Sequence, residues 1–199
     1  MESVNHNHVQ AMPVVAGLIG LKGCGKSTVA RVFADHGFVI VPFSSPLKAM
    51  LASLLQARGV SAEEISRMLV GDKKESPHWA LNGRSPRQAM QWLGTEWGRD
   101  LMAGTFWVDA WRDQAMRHPR VVADDVRFPN EVEAIKAMGG TLIRIARPAL
   151  VSGDTHISEN LITSLKADRQ ITNDGDLADL EFAARGMVEA VLVAHSHAA

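Results

Sequence analysis

Apolar residues along this chain form short runs that alternate with longer stretches of helical spacing. The runs at 14–19, 38–43, 120–126 and 141–146 predict buried strands, and residues 170–175 predict a short strand and turn. Between the runs, apolar side chains recur every three or four residues. This spacing predicts helices over residues 28–36, 46–59, 61–71, 85–102, 105–117, 129–138, 158–166 and 176–194. Strands that alternate with helices predict an α/β fold with a central parallel sheet covered on both faces.

The first predicted strand leads directly into a glycine-rich loop. Gly20-x-x-x-x-Gly25-Lys26-Ser27 follows the strand, and helical spacing begins at Thr28. Glycines allow successive backbone N–H groups to face one anion, and the positive end of the following helix adds to the field. The order of strand, loop and helix therefore predicts a phosphate-binding loop for a nucleoside triphosphate, and a glycine turn with a surface lysine is the alternative. The predicted ATP-binding residues of the loop are Gly20, Lys22, Gly23, Cys24, Gly25, Lys26, Ser27 and Thr28.

Composition narrows the class of protein. The chain has 199 residues, 46% of them hydrophobic, and a formal net charge of -1. Such a balance argues against a nucleic-acid partner, and no apolar run reaches the ~20 residues that span a bilayer. The single cysteine fits a reducing compartment, so we expect a cytoplasmic protein with no membrane partner. We expect a flexible leader over residues 1–12 and one domain over 13–199, with an inserted helical region at 44–118 and a short lid-like loop at 147–160.

Charged and amide side chains stand where several predicted strands end. Asp124 and Asp125 end the third strand, Arg147 follows the fourth, and Asn173 follows the last. In a parallel sheet these ends meet at one edge, which is where ligands bind. A carboxylate there could join Ser27 in holding magnesium, and Arg127 could neutralise a phosphoryl group in transfer. Helix-capping acids and a surface ion pair are the alternatives.

The predicted helix over 85–102 carries two stripes. Its apolar stripe is Met90, Leu93, Trp97 and Leu101. A second row has hydrogen-bonding side chains four residues apart, with Gly94 and Gly98 leaving space beside it. Such a row suits a ligand that carries a phosphate and a base, or else forms a polar outer surface. With Lys48 and Trp97, the predicted acceptor-binding residues are Lys48, Arg87, Gln91, Thr95, Trp97 and Arg99.

Together these motifs resemble a known family over roughly residues 14–182. Beside the glycine loop stand Phe43-Ser-Ser-Pro-Leu-Lys48, Ser85-Pro-Arg-Gln-Ala-Met-Gln-Trp-Leu-Gly-Thr-Glu-Trp-Gly-Arg99, Asp125-Val-Arg-Phe-Pro-Asn-Glu131 and Asn173-Asp-Gly175. With Asp154-Thr-His156 and Ser158-Glu159, they are similar to the bacteriophage-type deoxynucleoside monophosphate kinases of the P-loop nucleoside monophosphate kinase superfamily.

The resemblance implies a three-layer α/β/α P-loop kinase fold and transfer of a phosphoryl group from ATP to a deoxynucleoside monophosphate, with ATP and Mg²⁺ required. It implies that Lys26, Asp125, Arg127 and Arg147 act in catalysis and that Asn173 and Gly175 lie against the donor adenine. It also implies that the helical region at 44–118 binds the acceptor nucleotide. Ser27 and Asp125 would hold the metal, with Asp124 in the preceding position. It allows a homodimer, and in a phage-encoded protein the location would be the host cytoplasm.

Three points stay open at the level of sequence. Residues 148–165 contain no lysine or arginine, so Arg147, with Arg144, would have to supply the positive charge of a lid. His156 would act there or cap a turn. The rival functions are another small-molecule P-loop kinase, such as a dephospho-coenzyme A kinase, and an ATP-dependent switch or accessory protein. The preferred base depends on pocket contacts that sequence does not reveal.

Overall fold

Within residues 12–148, 150, 162 and 164–197, which the computed structural model describes, five parallel strands form one sheet. The strands are β1 (Val14–Ile19), β2 (Val39–Ile40), β3 (Arg120–Ala123), β4 (Thr141–Ala146) and β5 (Arg169–Thr172). Their order is β2-β3-β1-β4-β5. The most apolar run, β1, lies at the centre, where Ala16 pairs with Val122 of β3 and with Thr141 of β4. The predicted parallel sheet of about five strands is confirmed.

Helices cover both faces of this sheet, as predicted. They are α1 (Lys26–Asp35), α2 (Ser45–Ala57), α3 (Ala62–Leu69), α4 (Pro86–Trp92), α5 (Phe106–Ala115), α6 (Pro129–Ala137) and α7 (Leu177–Ser196). Buried side chains of α1 and α7 pack on one face of β1 through Ala16 and Leu18. Side chains of α5 and α6 pack on the other face through Val15 and Ile19. Because β1 is buried on both sides, its sequence is continuously apolar.

The second strand is shorter and more exposed than its sequence predicts. A buried strand was expected over 38–43, but β2 has two residues, Val39 and Ile40, each 39% exposed. It is the edge strand and pairs only with β3. One further bond follows, from the Val41 N–H to the Val122 carbonyl at 2.9 Å, and then Pro42, which has no N–H, ends the pairing.

The helical segment between β2 and β3 has a small core of its own. Leu51 and Leu55 of α2 pack with Met68 and Leu69 of α3. Two other apolar residues of α2, Met50 and Leu54, are exposed. A short 3₁₀ turn at Trp79–Leu81 interrupts the long segment before α4.

The predicted helix over 85–102 forms as one continuous helical stretch, but its winding changes. After α4 it continues as a π-helix over Leu93–Met102. The wider turn bonds residue i to i+5, so side chains four residues apart no longer lie in a row. Leu101, expected on the apolar stripe, is 77% exposed. Part of the predicted stripe is therefore wrong, because the period on which it was based ends at Leu93.

Two further observations concern regions outside the sheet. No helix in the described part of the chain is both long enough and apolar enough to cross a membrane. The helix predicted over 158–166, His156 and most of the lid-like loop predicted over 147–160 lie outside the described residues.

Candidate functional site

The carboxyl ends of four neighbouring parallel strands meet at one edge of the sheet. The glycine loop follows β1, Asp124 and Asp125 follow β3, Arg147 follows β4, and Asn173 follows β5. The strand assignment from sequence placed all of these residues at strand ends, and the fold brings them to the same edge. This edge is the candidate site.

The glycine loop obtains its shape from backbone conformations that favour glycine. Gly25 is the N-cap of α1 with φ of 111°, in the left-handed region. A Cβ at Gly25 would lie 2.8 Å from Leu180 and 3.0 Å from the Asn173 amide nitrogen. The Lys26 Nζ donates to the carbonyls of Gly20 at 2.6 Å and Leu21 at 2.9 Å. These hydrogen bonds hold the Lys26 side chain against the loop at the N-terminus of α1, where backbone N–H groups suit an anion.

The turn after β5 is tied to this loop. The Asn173 side-chain amide donates to the Cys24 carbonyl at 2.9 Å, and its backbone N–H donates to the Ala146 carbonyl at 2.7 Å. Gly175 leaves room for the Asp179 carboxylate, which a Cβ at Gly175 would meet at 2.3 Å. Asn173 thus stabilises the loop through a hydrogen bond to a residue that is 149 positions away in the chain. The Cys24 side chain is buried beside it, 3.9 Å from the Lys26 Nζ.

The two acids at the end of β3 differ in their contacts. Both oxygens of Asp125 accept backbone hydrogen bonds, from the Phe43 N–H at 2.7 Å and the Ser44 N–H at 3.1 Å. Asp125 therefore fixes the start of α2, which carries Lys48 in its first turn. For Asp124, burial raises the pKa, and the charge of Asp125 adds to the shift. The charges of Lys48 and Lys26 lower the pKa of Asp124, so its carboxylate is within electrostatic range of both lysines.

A buried carboxylate that the sequence analysis did not single out organises the next turn. Glu131, 3% exposed, accepts from the backbone N–H groups of Arg127 at 2.7 Å and Phe128 at 3.2 Å. Burial raises its pKa to about 7, and Asp125 adds to the shift. Its other oxygen accepts from the Arg99 guanidinium at 3.2 Å. Proline at the first position of a helix and glutamate at the third form a known capping pattern. The sequence Pro129-Asn-Glu131 could therefore have predicted that Glu131 bonds backbone N–H groups before this helix.

Arg99, predicted to touch the acceptor, is engaged by the protein itself. Besides Glu131, its guanidinium donates to the Gly94 carbonyl at 3.1 Å and lies 4.1 Å from the centre of the Phe128 ring. These contacts hold the π-helix against the turn that carries Arg127. Arg127 is half-buried, with its backbone held by Glu131.

The other members of the predicted acceptor row are separated by the π-helix. Gln91 and Thr95 are exposed, while Arg87 is half-buried and ion-paired with Glu75. Trp97 packs in an aromatic group with Phe106 and Trp107, at ring distances of 5.3 and 5.9 Å.

The glycines expected to leave space beside that row have a different role. A Cβ at Gly98 would lie 2.0 Å from the Trp107 indole nitrogen. That nitrogen donates to the Gly94 carbonyl at 3.0 Å. The space beside both glycines is therefore filled by protein side chains. The expectation that these glycines leave open space beside the row is wrong.

The two arginines proposed for a lid are used differently. Arg144 donates to the carbonyls of Ile162, at 3.3 Å, and Leu165, so it holds the segment that precedes β5. Arg147 is exposed and donates to the Gly23 carbonyl at 3.5 Å. Of these two arginines, Arg147 is thus the one whose guanidinium is hydrogen-bonded to the glycine loop. A cavity of about 200 Å³ lies between the loop and the end of β4, lined mainly by Leu21, Ile145, Pro148 and Leu150.

A β2-β3-β1-β4-β5 parallel sheet between helices, with a lysine-bearing glycine loop after the central strand, defines the class: a P-loop kinase of the three-layer α/β/α type. A family model described as deoxynucleotide monophosphate kinase matches residues 60–183. The chain belongs to the deoxynucleotide monophosphate kinase family.

Individual relatives carry the same description. The chain is 39% identical over 168 residues to "Putative deoxynucleotide monophosphate kinase" of Acanthamoeba polyphaga mimivirus. This alignment covers 77% of this chain and 84% of the viral protein. The chain is 34% identical over 101 residues to "Deoxynucleotide monophosphate kinase" of Enterobacteria phage T4, which covers 48% of this chain and 42% of that protein. Among solved structures, a dephospho-CoA kinase from Campylobacter jejuni aligns with a TM-score of 0.48 at 15% identity, over 91% of this chain and 98% of that one.

Proposed function

We propose that this protein transfers the γ-phosphoryl group of ATP to a deoxynucleoside monophosphate and releases ADP and a deoxynucleoside diphosphate. The observation that carries the proposal is the loop before α1, where Gly25 is left-handed and Lys26 begins the helix, in a chain of this family. Backbone N–H groups at a helix N-terminus suit a polyphosphate. Family membership favours a nucleotide acceptor over the two rival functions.

The donor is proposed to bind with its phosphates on residues 20–28 and its adenine near Asn173 and Gly175. Lys26 would contact the outer phosphates, in keeping with its position at the loop carbonyls. Asn173 supports this arrangement because its amide holds the Cys24 carbonyl. A shift of Asn173 would therefore disturb adenine and phosphate binding together.

Magnesium fits the oxygen donors at this edge. Mg²⁺ prefers carboxylate, hydroxyl and phosphate oxygens. Asp124 and the Ser27 hydroxyl would hold it, because both oxygens of Asp125 already accept backbone hydrogen bonds. A buried carboxylate with a raised pKa is also stabilised in its charged form by a nearby cation. When bound, the metal would neutralise charge on the β- and γ-phosphates.

In the transfer, an oxygen of the acceptor phosphate forms a bond to the γ-phosphorus while the bond from that phosphorus to the β-phosphate bridging oxygen breaks. The electron pair of the broken bond remains on ADP. No strong general base is needed, because the acceptor oxygen is already anionic near pH 7. Lys26, Arg127 and Arg147 are proposed to offset the charge on the transferring group.

The acceptor is proposed to lie between the glycine loop and the start of α2 and α4. Lys48 and Arg87 stand in the first turns of those helices and are its proposed contacts. Arg99 is assigned a positioning role, since its guanidinium is bonded to Glu131 and Gly94. Gln91, Thr95 and Trp97 stay predictions, as do a homodimer, a cytoplasmic location and the absence of a nucleic-acid partner.

The test is a coupled assay of ADP formation from ATP and magnesium. The acceptors would be dTMP, dGMP, dCMP, dAMP, their ribose counterparts and dephospho-coenzyme A. We expect stimulation by one or more deoxynucleotides. Lys26→Ala should abolish it, with a loss of about 10²–10³-fold or more in kcat, while Lys166→Ala, an exposed lysine outside the site, should not.

Other results would identify another function. If no nucleotide stimulated ADP formation, the proposal would be overturned. A response to dephospho-coenzyme A alone would favour the small-molecule rival. Hydrolysis of ATP that rises with a protein or DNA partner, and not with a monophosphate, would favour the ATP-dependent switch.

A further inference from the structure

Three cationic side chains from three separate segments lie within electrostatic range of Lys74, which belongs to the segment between α3 and α4. They are Lys48 of α2, Arg87 of α4 and Lys22 of the glycine loop. These segments are brought near Lys74 only in the folded chain. Lys74 thus has positively charged neighbours on the loop and on the two helices that carry the proposed acceptor contacts.

The position of Lys74 is fixed by the backbone around it. Its carbonyl accepts the Arg87 N–H at 2.9 Å, and the next side chain, Glu75, is ion-paired with the Arg87 guanidinium. The preceding side chain points elsewhere, because the Lys73 Nζ contacts the Glu64 carboxylate of α3 at 2.7 Å. Two adjacent lysines therefore differ in surroundings: Lys73 is paired with an acid and Lys74 faces cations.

This arrangement is unfavourable for the protein alone. Burial lowers the pKa of Lys74, and the charges of Lys48, Arg87 and Lys22 lower it further. The Glu75 carboxylate opposes them but is shared with Arg87, to which it is ion-paired. Among the described residues, neither Lys74 nor Lys48 has a carboxylate within ion-pair distance. Half-buried cations gathered in this way repel one another unless an anion binds among them.

The neighbours of the cluster indicate which anion binds. Lys22 belongs to the loop that the donor phosphates would occupy, and Lys48 stands in the first turn of α2, whose start is held by Asp125. The Lys74 carbonyl is bonded to Arg87 in the first turn of α4. The cluster is therefore on the side of the candidate site that is proposed for the acceptor phosphate. We propose that Lys74 is a substrate-binding residue whose ammonium contacts the phosphate of the deoxynucleoside monophosphate, together with Lys48 and Arg87. This inference rests on the proposed function and adds a residue to it.

The test compares Lys74→Met with Lys73→Met, a matched change at the adjacent lysine. With the deoxynucleotide that the wild type uses best, Lys74→Met should raise the KM for that acceptor about 10- to 100-fold, the range for a lost charge-assisted hydrogen bond. The KM for ATP should change less than about threefold. Lys73→Met should leave both values within about threefold, and Lys74→Arg should recover part of the loss.

Calorimetric binding without ATP separates a phosphate contact from general damage. Lys74→Met should weaken binding of the monophosphate and leave binding of the corresponding deoxynucleoside unchanged. Its unfolding midpoint should not fall, because the substitution removes a half-buried repelled charge. A purely structural lysine would show the opposite: a lower midpoint and equal losses for both ligands.

Several outcomes would overturn the inference. An unchanged acceptor KM would do so, as would equal weakening of monophosphate and nucleoside, or a rise confined to the KM for ATP. A wild type that binds deoxynucleotides without transferring phosphate would overturn the proposed function, while the binding comparison would still decide the role of Lys74. A wild type that binds none of them would overturn both.

Discussion

The two halves of the candidate site are built in different ways. The glycine loop, residues 20–28, owes its shape to backbone conformation and to its place between β1 and α1. The opposite half, here called the acceptor frame, comprises residues 43–48, 93–102 and 124–131. It is held by side chains that reach between segments, with Asp125 bonded to Phe43 and Ser44 and Glu131 bonded to Arg99.

This difference determines how each half responds to change. A loop formed by glycines is sensitive to any added side chain, because a Cβ occupies space that backbone or neighbours need. A frame formed by buried charges is sensitive to loss of a partner, because the remaining polar groups stay buried without hydrogen bonds. An added side chain should therefore strain the backbone of the glycine loop. Loss of a charged partner should leave buried polar groups of the acceptor frame without hydrogen bonds.

The largest effect is expected from a methyl group in the loop. Gly25→Ala would force a left-handed backbone onto alanine and place Cβ 2.8 Å from Leu180. We expect kcat/KM for ATP to fall about 10- to 100-fold, since strain of this type costs about 1–3 kcal/mol. Gly104→Ala is the control, because a Cβ there meets nothing within 4 Å. Equal kinetics for wild type and Gly25→Ala would show that the loop tolerates side chains.

In the acceptor frame, the corresponding change is Glu131→Ala. It removes the acceptor of the Arg127 and Phe128 N–H groups and the partner of Arg99. We expect the free energy of unfolding in urea to fall by about 1–3 kcal/mol, the usual cost of buried donors without a partner. Glu133→Ala, at an exposed position of the same helix, should change it by less than about 0.5 kcal/mol. Similar losses in both variants would contradict a special role for Glu131.

The same carboxylate predicts a pH dependence. The pKa of Glu131 is raised from 4.5 to about 7 in the folded protein, by burial first and by Asp125 second, against the opposing charge of Arg99. Between those values the folded state binds more protons than the unfolded state, so this group's contribution to stability is complete below about pH 4.5 and lost as pH rises through 7.

Urea unfolding at pH 5, 6, 7 and 8 would measure this dependence. Wild type should lose stability relative to Glu131→Gln as pH rises, because glutamine does not titrate. Asp124, whose pKa is also raised, remains in both proteins and cancels in the comparison. Parallel pH curves for the two proteins would argue that the Glu131 carboxylate is charged throughout this range.

The smallest effect is expected outside both halves. Gly186 lies at an exposed position inside α7, and a Cβ there meets nothing within 4 Å. Gly186→Ala should raise the free energy of unfolding by about 0.5–1 kcal/mol through helix propensity and leave the kinetics unchanged. A change in kcat would indicate that α7 affects the loop, near which its Leu180 packs.

The pattern of apolar and capping residues predicted the fold well where contacts between residues close in the chain determine the local structure. The apolar run of β1 gave a strand buried on both faces, and Ser61 caps α3 through the Glu64 N–H at 3.2 Å, as its capping pattern predicts. Prediction failed where a neighbour decides the outcome. The run at 38–43 is as apolar as a central strand, yet it lies at the sheet edge and pairs over only two residues.

The acceptor frame shows the same limit within one helix. A period of 3.6 residues places Arg87, Gln91, Thr95 and Arg99 in one row. Close packing of Gly98 against Trp107 accompanies a π-helix that breaks the row. Lys74 lies in a segment without periodicity, so its sequence carries no signal for the cationic neighbours that the fold gives it.

Sequence patterns were sufficient to predict the strand–loop–helix unit, the parallel α/β class and the set of polar residues at strand ends, because these depend on contacts between residues close in the chain. Three further roles became visible only in the folded chain: which acid is bonded to backbone, which arginine holds the acceptor frame and which lysine lies near other cations. Those roles depend on contacts such as that of Asp125 with Phe43, 82 positions away. Local pattern carries no information on distances of that kind.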